Sequence, residues 1–381
     1  MLAPVPPAPA RPARLWSLDI FRGLCAALVF LSHWHLWSGF APQGGLERSV
    51  REFFENIYQA CVTLTWPTGG HHPAVLCFFV LSGFCIHYPY ARRGTGPDWR
   101  DYYRRRFLRI FPVYWTAALL GLLFVATETL HPSGNELLHF HATAVSGVAL
   151  RLLGAEGFYP KEIIAGNYIL TTIGTEVIMY ALYPWIYRLA TRAGWLGLGC
   201  VFLGAHLLSL LLLVFFTPFW VFNSVFMLGI FWWAGAFAAH LFLQGRDRVS
   251  WLHIGLVWGT FLALKALPHF YGLNLIKQAD WGLVCVLTLL RLLRVEERHP
   301  GWVVLGSVRS LRYLGKISYS LYAVHTPAIM FSSWMLIVVA GCHDYFWQLA
   351  LTLGLSVAFT IATHYLVETR FYPPAQAAPK P

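Results

Sequence analysis

Charge is what this sequence lacks most. Only 12% of its 381 residues are Asp, Glu, Lys or Arg, about half the share of an ordinary soluble domain. That is too little to coat a water-soluble body of this size. No CxxC pair occurs among the seven cysteines, which argues against a thiolate metal site or a redox dithiol. No Asn-x-Ser/Thr acceptor is present, and no internal repeat or low-complexity block is evident. What fills the chain instead is apolar: 57% of residues are hydrophobic and 17% aromatic, with a mean hydropathy of +0.55.

Apolar windows long enough to cross a bilayer lie near 16–38, 74–90, 108–128, 165–187, 196–216, 221–243, 251–268, 277–293, 316–340 and 346–367. The expected fold is therefore an all-α polytopic membrane bundle of about ten spans. Residues 16–367 would form the transmembrane domain, between a Pro/Ala-rich tail at 1–15 and a short tail at 368–381. The first span is too long for the apolar core of a secretory signal, carries Asp19 and Arg22, and has no small-x-small cleavage site. It is expected to be retained. The connectors 39–73 and 129–164 are the largest.

Orientation follows from the basic residues. Six Arg fall in 91–107, and further Arg and Lys follow the spans ending near 187, 243 and 293. The opposite connectors carry few. Both termini are expected in the cytoplasm, and the membrane is expected to be the cell (inner) membrane. The net charge of +11 is this bias; the basic residues flank spans and make no nucleic-acid patch. Cys61 and Cys342 would both face the outer side, where a bridge between them is chemically allowed.

Charge inside the spans is the sharper signal, because a membrane helix tolerates it only at a cost. The first span reads Leu18-Asp19-Ile20-Phe21-Arg22-Gly23 and continues to Ser32-His33. Eleven residues separate Arg22 from His33. At ~100° per residue they share one helix face, and at ~1.5 Å rise they stand ~16 Å apart. His35 diverges from His33 by ~200°, and His71-His72 is a loop pair, so no metal site is expected.

The run Tyr102-Tyr103-Arg104-Arg105-Arg106-Phe107-Leu108-Arg109-Ile110-Phe111-Pro112 opens the third span. It reads either as a topology anchor or as a dock for a polyphosphate, since Arg binds phosphate bidentately and a helix start adds its dipole. In the fourth span, Thr172, Glu176, Tyr180 and Tyr183 form one stripe around a buried carboxylate. In the ninth, Ser318, Tyr322 and His325 do the same around an imidazole. Each stripe alone could simply join helices.

Taken in order, these elements resemble the acyltransferase-3 family of integral-membrane acyltransferases. The resemblance covers Leu18 to His33, Phe78-Phe79-Val80-Leu81-Ser82-Gly83-Phe84, Arg104 to Pro112, Thr175-Glu176 to Pro184, and Gly315 to His325. It implies transfer of an acyl group, usually acetyl, from cytoplasmic acyl-CoA to a glycan or lipid-linked sugar, with acyl-CoA as co-substrate and no bound cofactor. It implies that Arg22 and His33 are essential and that Arg104, Arg105, Arg106 and Arg109 serve the donor; Arg22 is expected to hold the CoA phosphates with them. Asp19, Ser82, Tyr180, Tyr322 and His325 would support the site or the acceptor. Two elements depart from the family pattern: Thr171-Thr172-Ile173-Gly174-Thr175-Glu176-Val177 stands where Trp-Ser-Leu-Ser-Val-Glu-Glu is usual, and Val324-His325 where Trp-His is usual.

On this reading His33 is the general base, its ordinary pKa of ~6.5 suiting that task, and Glu176 orients its ring or balances its charge. An acyl-His intermediate is the mechanistic alternative. A carrier for an anionic solute is the rival function. It would use the same Arg stripe and buried carboxylate without bond chemistry, but the inverted repeats common in such carriers are not evident.

Overall fold

A computed structural model describes residues 15–37, 44–66, 71–142, 147–158, 166–216, 224–267, 271–301 and 306–372. Of the two expected tails, only Leu15 and residues 368–372 lie among the described residues. Among those described there is no β-strand. The principal helices are α1 (Trp16–Trp37), α2 (Gly45–Thr65), α3 (Pro73–Arg93), α4 (Trp99–Leu130), α5 (Glu136–Ala142), α6 (Val148–Leu152), α7 (Leu170–Phe216), α8 (Val225–Leu243), α9 (Trp251–Lys265), α10 (Tyr271–Arg298), α11 (Gly306–Trp334) and α12 (Tyr345–Thr363). Single π-helical turns extend α11 over Met335–Val339 and α12 over His364–Glu368. A short helix α13 (Thr369–Phe371) ends the described chain.

Among the described residues, six helical stretches are long and apolar enough to cross a membrane: Pro73–Arg93, Trp99–Leu130, Leu170–Leu213, Val225–Leu243, Arg309–Val339 and Tyr345–Phe371. The chain is thus a helical membrane protein. The stretch read from sequence as two spans, 165–187 and 196–216, is two helical stretches meeting at Gly194, whose φ of +80° leaves the helical region; α7 denotes both. A backbone at positive φ suits glycine.

Helix α3 is the hub. It is buried along most of its length, and it packs most extensively on α8. That contact needs Gly83 and Gly235: a Cβ on Gly83 would lie 1.8 Å from the Trp232 carbonyl, and one on Gly235 equally close to that of Val80. Small residues let membrane helices approach to backbone contact. Helix α1 docks on α11 in the same manner. A Cβ on Gly23 would meet Gly315 N at 2.6 Å, and one on Gly315 would meet the Asp19 carbonyl at 1.9 Å.

Three features lie beyond the reach of apolar windows. Connector 39–73 contains α2, an amphipathic helix with no buried residue. Its Leu46, Phe53, Ile57 and Leu64 are exposed at spacings of seven, four and seven, which is one helix face. Such a helix suits a membrane interface. Its apolar face is only a stripe, so a window average passes over it. Connector 129–164 is no simple outer loop. Its segment 147–158 returns against α4 and α7, where Arg151 and Glu156 form an ion pair at 3.1 Å with side-chain exposures of 2% and 0%. The Tyr114 hydroxyl shares its one proton between Glu156 Oε1 at 2.8 Å and the Arg151 carbonyl at 2.7 Å. Nothing in an apolar average reports a buried ion pair, so the sequence shows this segment only as part of a long connector. Finally, Cys61 and Cys342 are unbridged, and the bond joins Cys77 of α3 to Cys285 of α10. Facing the same side does not bring two cysteines within reach.

Candidate active site

The glycine contact between α1 and α11 sets the geometry of the site. Gly23 meets Gly315, and His33 meets His325, each ten residues further on, so the two helices run parallel. The rings stack with centroids 5.1 Å apart and an interplanar angle of 6°. His33 Nδ1 lies 2.8 Å from His325 Nε2. His325 Nδ1 lies 2.8 Å from the Tyr322 carbonyl and 3.1 Å from that of Leu321. Carbonyls only accept, so His325 Nδ1 carries the proton. In a neutral ring Nε2 is then an acceptor, and His33 Nδ1–H must donate to it. The lone pair of neutral His33 is thereby fixed on Nε2, the nitrogen that faces the Tyr168 hydroxyl at 3.5 Å.

Other rings gather round this pair. His72 lies 6.3 Å from His33 between centroids. Its Nδ1 accepts from the Ala74 N–H, and its Nε2 is 3.3 Å from Ser32 Oγ. His141 stacks on Tyr168 at 6.0 Å. Of these, sequence reading singled out only His71-His72, and then only as a loop pair. Tyr168 and His141 carry no local signal: tertiary packing alone brings them in. The side chain of His35 lies outside the described residues.

Below the imidazole pair is a cavity of about 280 Å³ lined by Arg22, Ser82, Arg106, Arg109, Glu176, Tyr180, Ser318, Tyr319, Tyr322 and Tyr372, with several apolar residues. Three arginines face one carboxylate there, so the lining is net positive. The Arg-rich motif is split by helical geometry. Arg106 and Arg109 share a face with Tyr102, at steps of four and three, and turn into the cavity. Arg104 and Arg105 are exposed, and Arg105 pairs with Asp101 at 2.7 Å. Arg22 donates to Cys85 Sγ at 3.1 Å and stands 3.8 Å from Asp19.

Glu176 is met by the Tyr180 hydroxyl, which donates to it at 3.2 Å. Tyr180 in turn is 2.7 Å from Ser82 Oγ. Glu176 thus belongs to a hydrogen-bonded chain with Tyr180 and Ser82, while His33 bonds His325 and faces Tyr168. Tyr183, read on the same stripe, bonds His87 instead at 3.1 Å. Tyr322 closes the upper end of the cavity. Its hydroxyl is 2.8 Å from Thr172 Oγ1, Phe78 lies against its ring at 5.0 Å, and the His325 ring is 5.9 Å away.

A helical membrane protein with an oriented imidazole above an arginine-lined cavity has the equipment of a group-transfer enzyme. The family follows from comparison. The chain belongs to the acyltransferase-3 family, whose model, described as an acyltransferase domain, matches residues 15–365. It is a membrane acyltransferase, and so requires an acyl donor and an acceptor. No curated protein and no solved structure matches the chain.

Proposed function

We propose that this acyltransferase moves an acyl group, acetyl in the first instance, from cytoplasmic acyl-CoA to a hydroxyl of a sugar, polysaccharide or lipid-linked glycan. The observation that carries the reading is the fixed lone pair on His33 Nε2, set above a cavity lined by Arg22, Arg106 and Arg109. The setting is a ten-span protein of the cell membrane, with residues 16–367 as the catalytic unit and both termini in the cytoplasm. The six Arg within 91–107 and the cytoplasmic source of acyl-CoA support this orientation.

The CoA phosphates bind Arg22, Arg106 and Arg109 as charge-assisted, bidentate contacts. Arg104 and Arg105 draw the polyanion toward the mouth. The acyl-bearing arm then rises along the α1 face toward His33, a span of ~16 Å at helical rise, passing Tyr322. Glu176 holds Tyr180 and Ser82 in the wall of that passage and balances Arg22, with Asp19 bracing Arg22 from below.

An acceptor hydroxyl takes the place at which Tyr168 meets His33 Nε2. His33 removes its proton as the oxygen attacks the thioester carbonyl. The carbon–sulfur bond breaks, and the imidazolium returns the proton to the leaving thiolate. His325 stays neutral and accepts throughout. Its hydrogen bond strengthens when His33 is charged, the duty a carboxylate performs beside His in other acyl transfers.

The test is release of free CoA from acetyl-CoA by detergent-purified protein with acceptor extract. His33→Gln keeps a hydrogen-bonding side chain but no base at neutral pH, and is expected to be inactive. Near-normal turnover in that variant would make His33 a packing residue. Absence of CoA release even from the parent protein, with solute flux intact, would favour the carrier.

A further inference from the structure

A second polar cluster lies beside the imidazole pair, away from the arginine cavity. Asn274, Lys277, Gln278 and Trp281 fall at i, i+3, i+4 and i+7 of α10, one helix face. That face packs on the start of α3. Gln278 Oε1 is 3.0 Å from His71 Nδ1, and Trp281 Nε1–H donates to the Pro73 carbonyl at 3.1 Å. His71 adjoins His72, whose ring is 6.3 Å from His33.

This cluster is unfinished. Lys277 has no accessible surface (0%), although little protein surrounds it beyond that first layer. Its Nζ has no hydrogen-bond partner, nor have Asn274 Oδ1 and Gln278 Nε2, and all three atoms are buried. A buried ammonium without a partner is costly. The carboxylate nearest along the helix, Asp280, is already taken by the Thr260 hydroxyl at 3.0 Å. Lys265, held by the Val62 and Thr63 carbonyls, adds a second positive charge within electrostatic reach of Lys277. Lysines are also out of place at this end of the bundle, which carries few basic residues.

Two donors and one acceptor are therefore left waiting: an ammonium, a primary amide N–H and an amide carbonyl. An oxyanion satisfies the first two, and a hydroxyl satisfies the third. We propose that Asn274, Lys277 and Gln278 form an acceptor subsite for a sugar that carries an oxyanion, either phosphate or carboxylate. The subsite is joined to the imidazole pair through His71, which meets Gln278, and its neighbour His72, whose ring is 6.3 Å from that of His33. The inference rests on the acyl-transfer reading for its role, but the anion site itself does not.

The experiment uses full-length protein in detergent and follows thermal unfolding with glucose 1-phosphate, glucuronate, glucose or acetyl-CoA. Wild type, Lys277→Met, Lys277→Gln and Lys277→Arg are compared. A ligand that binds only the folded state raises the melting temperature in step with its affinity. At least one anionic sugar is expected to stabilise the wild type, with glucose inert. Lys277→Met should weaken that binding tenfold or more, and Lys277→Arg should restore part of it.

A response to glucose 1-phosphate alone assigns a phosphate, and one to glucuronate alone a carboxylate. Both variants that neutralise Lys277 should melt, unliganded, at or above the wild-type temperature, because they remove an uncompensated charge. If neither anion stabilises the wild type, or both act equally on Lys277→Met, the subsite is refuted. Should acetyl-CoA still stabilise every variant in that case, the donor reading stands alone. Should the anionic sugars act while acetyl-CoA does not, the subsite stands and the donor reading falls.

Discussion

Replacing His325 by Leu tests the heart of the site, because His325 touches the base and, on this mechanism, never handles the transferred proton. His33 Nδ1–H now donates to His325 Nε2 over 2.8 Å. The opposite tautomer of His33 would set two lone pairs face to face at that distance. Leaving a buried donor unmet costs ~1–3 kcal/mol, and ~1.4 kcal/mol is a tenfold population shift. His325 therefore holds the productive tautomer by roughly one to two orders of magnitude. Turnover should fall ~10- to 100-fold in His325→Leu, less than the ~10²–10⁴-fold loss expected for removing the base itself in His33→Gln. His325→Gln, whose amide oxygen can accept from Nδ1–H, should recover part of the loss. The assay is CoA release under saturating acetyl-CoA, so that kcat is read apart from KM. A His325→Leu enzyme that folds and turns over within about twofold of wild type would refute tautomer control.

Four further outcomes follow. Arg106→Ala with Arg109→Ala should raise the KM for acyl-CoA tenfold or more, each lost charge-assisted bond being worth ~1.5–3 kcal/mol; Arg104→Ala with Arg105→Ala should change it little, since exposed pairs contribute ~0–1 kcal/mol, and equal effects in initial-rate titrations would erase the distinction. Gly315→Ala drives a Cβ to 1.9 Å from the Asp19 carbonyl, so the melting temperature should drop by the equivalent of ~1–3 kcal/mol and turnover should fall as the imidazoles part, whereas Gly354→Ala, with open space around it, should do neither. Arg151→Met strands Glu156 and should cost ~3–5 kcal/mol, most of it recovered by adding Glu156→Gln, as read by thermal unfolding in detergent. A reporter active only in the cytoplasm should work at Pro381 and be silent at Gly134; equal signals would overturn the ten-span orientation.

Much of this site is legible in local pattern. The Arg22–His33 face, the Thr172–Glu176–Tyr180 stripe and the Ser318–Tyr322–His325 stripe each follow from 3.6-residue periodicity, and each lines the cavity or the imidazole pair above it. The division of the arginine run follows from the same arithmetic: Arg106 and Arg109 stand at steps of four and three from Tyr102, while Arg104 and Arg105 turn away. One long-range contact also leaves a trace. Gly23 precedes His33 by ten residues, and Gly315 precedes His325 by ten. Parallel helices crossing at those glycines must carry both rings to one level. Tyr168, His72 and His141 leave no such trace. They reach His33 from a connector, a helix cap and a short helix, and nothing in their own segments encodes that approach. The hydrogen-bond partner of His33 is likewise a tertiary fact, since carboxylate and imidazole serve equally well on paper.

The departure at Thr171–Val177 finds its reason in the returning segment 147–158. A Cβ at Gly174 would stand 2.7 Å from Glu156 Cγ, and one at Gly157 would stand 2.6 Å from Thr175 backbone atoms. A larger residue at 174, such as the Ser of the usual motif, would push Glu156 away from Arg151 and Tyr114. The glycine therefore belongs with the buried ion pair, not with the cavity. Helix α7 has two working faces: Thr172, Glu176 and Tyr180 turn to the cavity, while Gly174 and Thr175 receive the returning segment. Residues between that segment and α7 include Tyr168, which faces His33 Nε2. Tyr168 itself is held from α7, its carbonyl accepting from the Thr171 hydroxyl at 2.7 Å, and its ring stacks on His141. The altered motif is thus a packing feature, the face of α7 on which the returning segment sits.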